Sequence, residues 1–117
     1  MHELSIADAI VTIAREHAGD RRVAAVEVKI GHLRQVVPSA LSLAFELVAD
    51  GTVVEGAELR VEEIPARVAC RECAAERRVT EFPFLCAECG SLDVEVIAGD
   101  ELLVDALELE DAVAVAR

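Results

Sequence analysis

The chain has 117 residues, 54% of them hydrophobic and 29% charged. That is enough for one compact domain with a small appended module, and enough apolar content to exclude wholesale disorder. Twenty-three acidic residues against eleven basic ones leave a net charge of −12, which argues against a groove built to neutralise phosphates and suits a metal cation or a basic protein patch.

No stretch reaches the roughly 18 apolar residues needed to span a bilayer. The start, Met1-His2-Glu3-Leu4, shows no basic segment followed by an apolar run, so the expectation is a cytoplasmic protein without a signal peptide. In a reducing compartment, four cysteines read as metal ligands rather than disulfides.

In chain order, apolar residues at Leu4, Ala7, Ile10, Val11 and Ala14 have helical spacing, which predicts a helix over Leu4–Ala18. Ser5 with Asp8 is its candidate start signal and Gly19 its stop. Val26, Val28 and Ile30 alternate with Glu27, Lys29 and Gly31, a half-buried strand within Val23–Leu33. Pro38-Ser39 opens a second helix with an inner stripe of Leu41, Ala44, Phe45 and Val48, ended by Gly51. Ala57–Pro65 reads as a strand. From Ala66 to Asp100 long aliphatic runs thin out and all four cysteines appear, so this stretch needs a metal or disulfides to fold. Glu101–Glu110 returns to strand alternation, with Leu103, Leu107 and Leu109 on one face and Asp105 as a blemish on it. The tail 111–117 is expected to fray.

The order predicts an α+β protein, a small sheet with two helices on one face plus an inserted four-cysteine zinc-ribbon module. Residues 1–65 and 100–117 form the α+β domain and residues 66–99 the zinc-binding one.

Cys70-Arg-Glu-Cys73 and Cys86-Ala-Glu-Cys89 give a C-x2-C-x12-C-x2-C pattern. Two residues between cysteines let both thiolates turn to one ion, and two such knuckles make the closed tetrahedral site of structural zinc. Iron or a redox dithiol are the other readings. Gly90 follows the second pair, where a knuckle turn benefits from positive φ. Arg67, Arg71, Arg77 and Arg78 crowd the segment and can offset thiolate charge. With every position filled by protein, such a site has no place for substrate.

His2 and Glu3 stand directly behind Met1. Taken alone, they read first as an exposed, frayed terminus. The functional alternative joins the Met1 α-amine, the His2 imidazole and intervening backbone nitrogens around one ion, with Glu3 adding an oxygen. Nitrogen-rich tetragonal coordination favours nickel(II) or copper(II). His17 is expected as a partner of the first helix's C-terminus and His32 as a packed or edge residue. The pairs Glu62-Glu63 and Glu110-Asp111 read as solvated charge. No catalytic constellation stands out.

The ordered combination of Met1-His2-Glu3-Leu4-Ser5, Val28-Lys29-Ile30-Gly31, Leu43–Gly51, the two knuckles and Gly99-Asp100-Glu101-Leu102 resembles the HypA/HybF family across essentially the whole chain. The resemblance implies a nickel metallochaperone for [NiFe]-hydrogenase maturation, not an enzyme. It implies transported nickel on His2, with Glu3 and the Met1 amine as accessory ligands, and structural zinc on Cys70, Cys73, Cys86 and Cys89. The implied partners are the GTPase HypB and the hydrogenase large subunit, with a homodimer left open and neither nucleic acid nor membrane involved. Some members also serve urease. Ala74 and Gly90 follow the cysteine pairs where some relatives carry histidine, and no histidine occurs after His32. That removes any nickel ligand donated by a zinc-domain histidine. The alternative reading is a zinc-ribbon protein-interaction module without transferable metal.

Overall fold

The computed structural model describes residues 2–80, 84–86 and 88–110. Helix α1 runs His2–Ala18 and α2 Pro38–Ala49; the strands are β1 Val23–Gly31, β2 Glu58–Ile64, β3 Ala66–Cys70, β4 Glu76–Val79, β5 Val94–Ala98 and β6 Leu102–Leu109. A 3-10 turn, His32–Arg34, follows β1. The strands form two three-stranded sheets, ordered β2-β1-β6 and β4-β3-β5. The α+β expectation holds, and the cysteine segment adds a sheet of its own.

Contacts divide the described residues into two compact units, one from 2–28, 36–62 and 103–110, the other from 29–35 and 63–102. In the first, α1 and α2 pack against each other. Ile6, Ala7, Ile10, Val11 and Ala14 line the inner face of α1, and Leu41, Ala44 and Phe45 that of α2. They join Val23, Ala25, Val26 and Val28 of β1 in the core. Removing side chains such as Ile10 and Leu41 from water contributes about 1.5–3 kcal/mol each. Leu4, expected on the inner stripe, is 41% exposed, and Ile6, outside that expected stripe, is buried.

Helix α1 starts at His2, ahead of the Ser5 signal. Glu3 lies in its first turn, where a carboxylate suits the helix dipole. Gly19 ends it as expected, at φ +65 with its N–H donating to the Arg15 carbonyl at 3.0 Å. His17 Nδ1 donates to the Ile13 carbonyl at 2.9 Å, inside the last turn. Pro38 opens α2, where its missing N–H costs nothing. The loop beyond α2 is closed by Thr52, whose hydroxyl donates to Ala49 O at 2.7 Å and accepts from the Val54 N–H at 3.0 Å, leaving Val54 fully buried.

In the second unit, β3 pairs antiparallel with β4 and with β5. Ala66, Val68 and Cys70 point inward and are buried, with Cys86 and Ile30 completing a small core. Gly31 and Gly99 meet backbone to backbone. A Cβ on Gly31 would fall on the Gly99 carbonyl and the Asp100 nitrogen, and one on Gly99 would lie 2.5 Å from Ala66 Cα. Leu33 N–H donates to Gly99 O at 2.7 Å and Arg34 Nε to Asp100 O at 2.9 Å. His32 is half-buried here, its Nδ1 donating to Glu63 Oε2 at 3.2 Å.

Candidate metal centre

The four cysteines sit in two turns of one design. Cys70 takes its N–H to Ala75 O (2.8 Å) and receives Ala74 N–H on its own carbonyl (3.0 Å). Cys86 does the same with Ser91 O (2.9 Å) and Gly90 N–H (2.7 Å). Gly90 has φ +74, as its position after the second pair predicts. Ala74, its counterpart, has φ +65, a left-handed conformation that sequence alone does not announce for alanine.

These turns aim backbone N–H groups at sulfur. Glu72 and Cys73 donate to Cys70 Sγ at 3.3 and 3.4 Å. The N–H groups of Cys89 and Glu88 do the same for Cys86 and draw its thiol down to about 7. The Cys89 thiol takes the Ser91 N–H, yet its sharing with Cys70 and partial desolvation hold it up at about 12. Cys73 is likewise raised: the Ala75 N–H favours its thiolate, but Cys86 and partial desolvation outweigh it. One thiolate thus forms readily and its neighbours resist a second negative charge. A divalent cation at the centre removes that resistance.

The four Sγ atoms lie within 4.8 Å of one another. Across the knuckles, Cys70 Sγ is 3.7 Å from Cys89 Sγ and Cys73 Sγ 3.5 Å from Cys86 Sγ. Four sulfurs at tetrahedral zinc distances of about 2.3 Å stand about 3.8 Å apart, so the donor set fits that ion. Cys70 and Cys86 are buried, Cys73 and Cys89 exposed. The arginines expected to offset the sulfur charge pair with carboxylates instead: Arg67 with Glu76, Arg71 with Asp93 at 2.8 Å, and Arg77 with Glu88. Arg78 stands directly opposite Arg67 in the β3–β4 register.

At the other candidate site, His2 and Glu3 form the first turn of α1, and His2 is exposed. The Met1 amine lies outside the described residues, as do Asp111 and the rest of the tail. Glu3 Oε2 accepts the Val37 N–H at 3.0 Å. That bond, with the Glu3 backbone N–H, holds the Glu3 carboxyl below its ordinary value. Val37 is the residue that sequence reasoning missed: it caps α2 without a side-chain bond of its own, and nothing in its apolar side chain marks its N–H as an anchor. Among the described residues no third histidine, cysteine or carboxylate joins His2, His17 or His32 in a cluster able to hold an ion; the four-cysteine group stands alone. No helix of the described residues is long and apolar enough to cross a membrane.

The chain resembles known proteins along nearly its full length. The hydrogenase maturation factor HypA of Geotalea uraniireducens is 42% identical over 110 residues, covering 94% of this chain and 100% of the relative. HypA of Trichormus variabilis is 40% identical over 111 residues, covering 95% and 97%. The fold matches the solution structure of the Ni metallochaperone HypA from Helicobacter pylori, with a TM-score of 0.68 and 24% identity over 93% of this chain and 97% of that one. The family profile described as "Hydrogenase/urease nickel incorporation, metallochaperone, hypA" matches residues 1–109, so this chain belongs to the HypA family of hydrogenase maturation factors, whose members are metallochaperones and not enzymes.

Proposed function

We propose that the chain binds nickel(II) at its N-terminal Met1-His2-Glu3 segment, with the Met1 amine and His2 as ligands, and hands it on for [NiFe]-hydrogenase maturation, while Cys70, Cys73, Cys86 and Cys89 hold structural zinc. The observation that carries this reading is the placement of His2 and Glu3 in the exposed first turn of α1. The first N–H groups of a helix have no intrahelical acceptor. Backbone nitrogens there can take up a metal without breaking a helical hydrogen bond. With the His2 imidazole and a deprotonated terminal amine they make the nitrogen-rich set that nickel(II) favours. An open terminal chelate also exchanges its cargo readily, as a carrier requires.

The zinc site has the opposite character. Its four thiolates close the coordination sphere, so zinc stays as part of the fold. In this reading residues 1–65 and 100–117 carry nickel and residues 66–99 carry zinc. The carrier works in the cytoplasm with the GTPase HypB and the hydrogenase large subunit. Whether it does so as a homodimer is a separate measurement.

The test is nickel titration of the tag-free, zinc-loaded chain beside His2→Ala and a variant with one residue added before Met1, with zinc measured in each. The expected result is nickel bound by the parent, lost from both variants, and zinc retained throughout. Equal binding by all three, or none by any, leaves a zinc-ribbon interaction module without transferable metal.

A further inference from the structure

Glu3 is tied to a residue 34 positions away: its Oε2 receives the Val37 N–H at 3.0 Å. Val37 is the N-cap of α2, at φ −89 and ψ 114, and the next residue, Pro38, has no N–H to offer. The bond therefore joins the first turn of α1 to the N-cap of α2. A nickel ion that took Oε2 would compete with the Val37 N–H for that oxygen, and the lost hydrogen bond works against coordination through it. Nickel(II) in a nitrogen-rich set gains little from one more carboxylate oxygen.

We propose that Glu3 is a positioning residue for the nickel site, not a ligand: its carboxylate fastens the start of α1 to the Val37 N–H and so holds His2 and the neighbouring backbone nitrogens in the arrangement that binds the ion. The inference rests on the terminal nickel site proposed above. Its logic is that of residues one step out from a metal, which fix ligand orientation and whose loss costs about 10–100-fold in affinity.

The two roles of Glu3 predict opposite behaviour for a neutral isostere. Glutamine keeps an oxygen that accepts the Val37 N–H but is a poor replacement for a ligating carboxylate. The experiment titrates nickel(II) into the tag-free, zinc-loaded full chain by calorimetry and follows the visible ligand-field spectrum. The variants are Glu3→Gln, Glu3→Ala, Val37→Pro and His2→Ala. Val37→Pro deletes the donor without touching α1. The expected result is Glu3→Gln within about threefold of the parent with an unchanged spectrum, while Glu3→Ala and Val37→Pro each weaken binding about 10–100-fold. The double variant Glu3→Ala/Val37→Pro should be no weaker than either single one, because both remove one shared bond.

Glu3→Gln as weak as Glu3→Ala overturns the proposal and makes Glu3 a ligand. Parent-like binding by Glu3→Ala overturns it as well. Circular dichroism reports whether Val37→Pro folds; if it does not, the contrast between the two Glu3 variants still decides. Parent-like binding by His2→Ala is a different failure, that of the terminal nickel site itself.

Discussion

The two knuckles pose a matched experiment at single residues. Ala74 and Gly90 occupy the same turn position with φ of +65 and +74. A Cβ at Gly90 meets nothing within 4 Å, so Gly90→Ala tests backbone conformation alone. Left-handed backbone costs an L-residue about 1–2 kcal/mol, offset by about 0.4–1 kcal/mol from the stiffer unfolded chain, so Gly90→Ala should destabilise the metal-loaded chain by up to about 1.6 kcal/mol. Ala74→Gly relieves the same strain but frees the unfolded chain, which returns about 0.4–1 kcal/mol. The net expectation is a gain of up to about 1.6 kcal/mol, from the same two figures. Denaturant unfolding of the two variants checks the opposite signs. Gly31 is a harder case. Its missing Cβ makes room for the Gly99 carbonyl and the Asp100 nitrogen, both backbone atoms that cannot swing aside. Gly31→Ala should cost at least about 3 kcal/mol, the upper range of overpacking, and show as loss of soluble folded protein.

Among elements, the sheet β2-β1-β6 is laced by one guanidinium. Arg60 on β2 reaches Glu27 on β1 at 3.2 Å, Glu58 on its own strand at 3.0 Å and Glu108 on β6 at 3.2 Å. Hydrogen bonds to Glu58 and Glu27 hold its charge firmly in place. In Arg60→Ala three carboxylates face one another uncompensated, and like charges disfavour their common ionised state. The variant should be less stable than the parent at low ionic strength, and the gap should narrow as salt screens the exposed carboxylates. Thermal melts of both chains at three salt concentrations check this; a constant gap would deny the clustering any role. Helix α1 and strand β1 are also the most readable elements. The 3.6-residue spacing of Ile10, Val11 and Ala14, and the alternation of Val26, Val28 and Ile30, each reflect one buried face. Strands β4 and β5 carry no such pattern. β4 is Glu-Arg-Arg-Val, and its side chains are exposed or half-buried because the strand lies at a sheet edge. The start of α1 was hidden for another reason: its stabilising partner, the Val37 N–H, is 34 residues distant. Local pattern reports burial along a segment, not a single bond across the fold. The cysteine pairs were legible because two-residue spacing is itself the geometry of a chelating turn.

For the whole molecule, the two units are stabilised by different means. The unit holding α1 and α2 buries two helix faces and the inner residues of β1. The cysteine-bearing unit buries little besides Ile30, Ala66, Val68, Cys70 and Cys86. Two of those five are thiols of the four-sulfur cluster, so part of its core is the metal site. Structural zinc contributes about 10 kcal/mol or more of folding energy where no preformed core exists. Without the ion, Cys73 and Cys89 are raised above the usual thiol value while Cys86 is lowered, so the four thiolates do not form together unaided. Removing zinc with a chelator, or one ligand by Cys73→Ser, should therefore melt residues 66–99 and leave α1 and α2 largely protected. Amide hydrogen exchange of the loaded and stripped chains separates the outcomes. Protection lost only over the cysteine segment means the ion stabilises that unit alone. Protection lost evenly from Ile10 to Val68 means the chain folds as one cooperative body, and zinc loss would then unfold α1 as well.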